Sequence, residues 1–87
     1  MKTLRKFYDS LAMDIFNTIR SSDPRKIKEE KRDIFKSRLE KLDKMFNLEE
    51  KLFGKFSSAE DHLTRIYQSS ETVEILMFQL DEQLRTH

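Results

Sequence analysis

Cysteine and tryptophan are missing from these 87 residues, and glycine and proline occur once each. Without cysteine there is no disulfide, no thiol nucleophile and no thiolate-ligated metal. Since the first residues also lack a secretory or transit pattern, a reducing cytoplasm is the expected location. A single glycine cannot build a phosphate-cradling loop, which needs several. One glycine and one proline also leave little material for hairpin turns. No apolar run approaches the roughly 18 residues of a membrane span, so no membrane contact is expected. Neither sign of charge dominates, with 17 Lys plus Arg against 16 Asp plus Glu.

What is present is a mixture of 38% charged and 37% hydrophobic residues, with seven Phe to fill a core. That is too apolar for a disordered tail and lean for a domain folding alone. Lys, Glu, Leu, Asp and Arg dominate, which favours long helices in a single domain covering residues 1–87.

Placing residues at about 100° intervals shows three amphipathic segments. In the first, about residues 2–20, Leu4, Phe7, Tyr8, Leu11, Ala12, Ile15, Phe16 and Ile19 share one broad face. Ser21-Ser22-Asp23-Pro24 ends it, because the residue before proline is pushed out of the α region. Ser22 or Asp23 is then placed to cap the next helix. The second segment, about 24–55, carries a stripe of Ile27, Ile34, Phe35, Leu39, Leu42, Met45 and Phe46, continued in phase by Leu52, Phe53 and Phe56. The unbroken phase predicts one rod. Asn47-Leu48-Glu49-Glu50 resembles a capping sequence, so a break there is the competing reading. Gly54 and Ser57-Ser58-Ala59-Glu60, which has the spacing of a capping box, mark the next turn. The third helix, about 58–86, follows with Leu63, Ile66, Tyr67, Ser70, Val73, Met77, Leu80 and Leu84. Its weak point is the pair Ser69-Ser70, and Ile75 falls on the opposite side.

Short turns make consecutive helices antiparallel neighbours. The expected fold is all-α: an antiparallel long-helix hairpin with a shorter N-terminal helix completing a three-helix bundle at one end. The first helix should cover residues 25–43 and 71–87. Beyond it, Phe46, Leu52, Phe53, Phe56, Leu63, Ile66 and Tyr67 would lie on a two-helix tip that cannot bury them. Self-association, docking onto a larger protein, or a fold-back of residues 48–55 would each supply cover. These seven are the candidate partner-binding residues of a homodimer or of a small adaptor, inhibitor or assembly factor.

Charge is split along the chain. Residues 24–55 hold eleven Lys or Arg against seven acids, and residues 56–87 hold two against six. In the hairpin Asp81 and Glu82 would lie near Arg32 and Lys36, and Arg85 near Glu29. The alternative use of the basic segment is phosphate binding by a small nucleic-acid-binding regulator. Arg25, Lys28, Arg32 and Lys36 share one side of the helix, while Lys51, Phe53, Lys55 and Phe56 interleave charge with aromatic rings. Glu29, Asp33 and Glu40 at helical spacing neutralise part of that field.

Catalytic chemistry has little to work with. His62 sits in the first turn of the third helix after Glu60 and Asp61, where a solvent-facing imidazole is expected, and His87 ends the sequence. No His-x-x-x-His or Glu-x-x-His pair offers a bundle-type metal site. The serine pairs lie outside any nucleophile-elbow setting. No enzymatic activity, metal, cofactor or small-molecule substrate is expected.

Overall fold

The computed structural model describes residues 2–86; His87 lies outside the described residues. It consists of α1 (Lys2–Arg20), α2 (Arg25–Phe53), a 3-10 turn at Ser57–Ala59, and α3 (Glu60–Arg85), with no strand among the described residues. Together they form a helical bundle 47 × 19 × 17 Å in extent. The second helix runs without a break through Asn47, as its apolar phase requires.

The ends of the helices are closed differently from the way the sequence implies. Neither Ser22 nor Asp23 caps α2, whose N-cap is Pro24 without a side-chain hydrogen bond. The Pro24 carbonyl instead accepts from the amides of Ile27 and Lys28. The expected capping box is replaced by the 3-10 turn, and α3 starts after Ala59 with no side-chain cap. At the end of α2, the Gly54 amide donates to the Glu50 carbonyl at 2.8 Å. A Cβ at this position would press on the same Glu50 oxygen. The Ser69-Ser70 pair does not interrupt α3, because Ser70 is buried and its hydroxyl donates back to the Tyr67 carbonyl at 2.8 Å.

The core is a single cluster in which Leu4, Tyr8, Leu11 and Ile15 of α1 meet Phe35, Leu42 and Phe46 of α2. From α3 it takes Ile66, Val73, Met77, Leu80 and Leu84. Each helix contributes a stripe narrower than the apolar face its sequence displays. Phe7 and Phe16 on α1, Ile27, Ile34 and Met45 on α2, and Tyr67 on α3 fit the broad faces yet lie exposed. Three helices about 10 Å thick enclose one seam, and the seam accepts only the residues pointing within roughly 50° of the axis of the bundle.

Helix α1 also sits closer to the tip than expected. Ile19 faces Lys28, Asp14 faces Arg38 and Tyr8 faces Asp43, so the first turn of α2 overhangs the end of α1. At its other end, Arg5, Lys6 and Asp9 share a surface cleft with Ser58, Asp61, His62 and Arg65. The shift carries Leu4 to the level of Phe46 and Ile66, and both are buried in the same core cluster. Between α2 and α3 the pairings are Lys28 with Gln83, Arg32 and Lys36 with Asp81, and Glu49 with His62.

Candidate interaction surface

The seven residues expected at an uncovered tip divide into two groups. Phe46 and Ile66 are core residues, and Leu63 packs against the core in a partly buried position. Phe53 is half-buried, whereas Leu52, Phe56 and Tyr67 are exposed. The difference comes from the placement of α1, whose Leu4 joins Phe46 and Ile66 in the core cluster, while Leu52, Phe56 and Tyr67 lie outside that cluster.

Two exposed residues extend the ridge of Leu52 and Phe56 back along α2. Met45 is 49% exposed and Leu48 58%, and with Leu52 at 54% they follow one another at helical spacings of three and four. Arg38 turns towards α1, where it meets Asp14, and Lys31 turns to Asp23 in the connection between α1 and α2. Arg32 and Lys36 turn towards α3 and Asp81. At about 100° per residue, Met45, Leu48 and Leu52 lie on the Arg38 flank and away from α3. Beside them Phe7, Arg38, Lys41, Leu42 and Met45 line a surface cavity of about 230 Å³ between α1 and α2. The sequence contains the signal for this ridge. Lys41, Met45, Leu48 and Leu52 are spaced by four, three and four, one helical step behind the core residues Leu42 and Phe46, and the two stripes read as one until a neighbour divides them.

A second exposed apolar surface lies on the outer side of α3, where Ile75 and Phe78 are 60% and 62% exposed. Ile75 agrees with its place opposite the stripe. Phe78 is the larger addition, concealed in the sequence by the nearly continuous apolar stretch from Val73 to Leu80.

Of the four candidate phosphate-binding cations, Lys28 is buried and Arg25, Arg32 and Lys36 lie in surface ion pairs. Lys28 Nζ donates to the Ile19 carbonyl at 3.3 Å and to Gln83 Oε1 at 3.1 Å. Arg32 reaches Asp33 at 3.3 Å and Asp81 at 3.7 Å, and Lys36 reaches Asp81 at 4.0 Å. Arg25 pairs with Glu29 at 3.8 Å, the acid expected to meet Arg85, which turns instead to Glu82 at 2.6 Å. Lys55 lies over the Phe56 ring, 5.7 Å from its centroid.

His62 departs from its expected solvent-facing position. Its Nε2 stands 3.6 Å from Glu49 Oε2, and both atoms are buried without a hydrogen-bond partner. Among the described residues no three His, Asp or Glu side chains converge as a metal site would need. Also among them, no helix is long and apolar enough to cross a membrane.

No family model, curated protein or solved structure matches the chain. The functional reading therefore stands on the surface itself.

Proposed function

We propose that this chain is a non-enzymatic protein-protein interaction module, a small adaptor, inhibitor or assembly factor. It docks through the exposed apolar ridge at the turn end of α2. Leu52, Phe53 and Phe56 form the tip of the ridge, and Met45 and Leu48 extend it. The observation that carries this reading is the row of Met45, Leu48 and Leu52, each about half exposed, on a helix whose adjoining face packs Phe35, Leu42 and Phe46 into the core. Anchors at i, i+3 and i+7 are the pattern by which one helix lies in the groove of a partner.

The hairpin belongs to the same reading. An antiparallel course of α2 and α3 is supported by pairings in which the α2 number rises from 28 to 49 while the α3 number falls from 83 to 62. Association with a second copy is the simplest way to cover the ridge. A cytoplasmic setting is supported by a sequence without cysteine.

The test is the pair of variants Leu52→Asp and Phe56→Asp, both at exposed positions and so compatible with the fold. Dye binding to apolar surface and association measured by light scattering should both fall, with helical content by circular dichroism unchanged. Equal dye binding and equal association in wild type and variants would remove the tip from consideration.

A further inference from the structure

We infer that the partner of the α2 ridge is a second copy of this chain, and that the surface it meets there is the outer face of α3. This rests on the ridge being an interaction surface and adds what it binds.

The inference comes from matching patterns. Lys41, Met45, Leu48 and Leu52 are spaced four, three and four along α2, all exposed on one side. On the outer side of α3, Glu82, Phe78, Ile75 and Glu71 carry the same spacing in reverse. Laid antiparallel, the two rows bring Met45 against Phe78, Leu48 against Ile75 and Lys41 against Glu82, whose carboxylate it would share with Arg85, also of α3. Leu52 meets the Glu71 position, and one turn further on Tyr67 stands where Phe56 ends the ridge.

The charges agree with this register. Lys44 and Lys51 flank the ridge beside Lys41; of the four acids in this half of α2, Asp43 turns inward to Tyr8 and Glu49 to His62, while Glu40 and Glu50 stay exposed. The α3 helix holds six acids and two arginines, and Glu71 and Glu74 border Ile75 and Phe78. One contact therefore covers most of the large exposed side chains of α2 and α3 and sets basic against acidic flanks.

Because the two rows lie on different faces of one chain, the contact is heterologous. Each copy keeps a free ridge and a free α3 face, so copies add head to tail into a ring or an open chain.

The experiment uses Leu48→Asp and Ile75→Asp, at positions whose exposure leaves the fold intact, with circular dichroism as the check. Light scattering is run on wild type, on each variant and on their equimolar mixture. Wild type should grow beyond two copies with concentration, and each variant alone should be weakened roughly 30-fold or more. The mixture should give a capped species of twice 10.5 kDa, since one intact ridge and one intact α3 face remain between the two variants. Charge exchange gives a second readout: Lys41→Glu and Glu82→Lys should each weaken association, and together restore it.

Three results would overturn the inference. A wild type that stays monomeric removes the second copy as partner and leaves the ridge open to another protein. Association lost in Leu48→Asp and kept in Ile75→Asp means that the ridge pairs with itself. Association kept in both variants removes the ridge too, and with it the proposed function.

Discussion

The Tyr8 hydroxyl donates to Asp43 Oδ1 at 2.7 Å from a side chain that has no solvent exposure. It ties α1 to α2 from inside the core, where a hydrogen bond to a charged acceptor is worth about 1.5–3 kcal/mol. Tyr8→Phe should therefore lose about 2 kcal/mol of unfolding free energy at neutral pH, measured by urea denaturation. The pH dependence has a definite sign. Burial, followed by the hydrogen bond and negative charge of Asp43 and the charge of Glu74, holds the phenol far above its ordinary range. Only the unfolded chain ionises Tyr8 near pH 10, so this stabilisation is complete below about pH 10 and is lost as pH rises beyond it. The Phe variant should show a shallower alkaline loss than wild type.

Lys28 closes the other end of α1. The Ile19 carbonyl, left without an intrahelical partner near the helix end, accepts from Lys28 Nζ and from Gln83 Nε2 at 3.0 Å, joining all three helices. Lys28→Met keeps the apolar stem and removes the donor, at an expected cost of about 1–2 kcal/mol. Gln83→Leu in the same background leaves this partly buried carbonyl without a side-chain donor. The losses should depart from additivity by about 0.5 kcal/mol or more. They fall below the sum if the direct Lys28–Gln83 hydrogen bond, lost in either single variant, dominates, and above it if the stranded carbonyl does. Strict additivity in thermal or urea unfolding would show no net coupling between the two side chains.

The three helices, their order and the uninterrupted second rod were legible in the sequence because each segment has an apolar face in constant phase. Which part of that face would be buried was not legible. Ile34 and Phe35, or Met45 and Phe46, are equally apolar neighbours, and only the position of α1 decides between them. The overhang that brings Leu4 to Phe46 depends on how four residues, 21–24, cross between two helices, and local propensity carries no record of it. The cations of α2 were read correctly as charges and without their partners. Asp81 is remote in sequence from Arg32 and Lys36, and Lys28 looks like any surface lysine until the Ile19 carbonyl stands before it.

Those partners bear on nucleic-acid binding. A phosphate at Arg32 and Lys36 would compete with Asp81 and could not reach Lys28 without opening the bundle. Mobility-shift assays with duplex and single-stranded DNA or RNA are expected to show no shift at moderate salt. At low salt any retardation should be unaffected by Lys36→Ala. A shift that weakens with salt and loses about one unit of slope in Lys36→Ala would reinstate the basic face as a binding surface.

The division between adjacent apolar residues can be measured directly at Met45 and Phe46. Phe46 is 7% exposed and belongs to the core, and Met45 is 49% exposed on the ridge. Truncating a buried phenylalanine removes its transfer free energy and leaves a cavity, so Phe46→Ala should cost about 3–5 kcal/mol. Met45→Ala removes side-chain surface that is already half in water, and alanine has the better helix propensity, so its cost to folding should be under about 1 kcal/mol. The ranking reverses for association: Met45→Ala should weaken it, because its contact partner lies outside the chain. Comparable folding losses at the two positions would mean that α1 lies nearer Met45 than described, and the ridge would then be a second core seam.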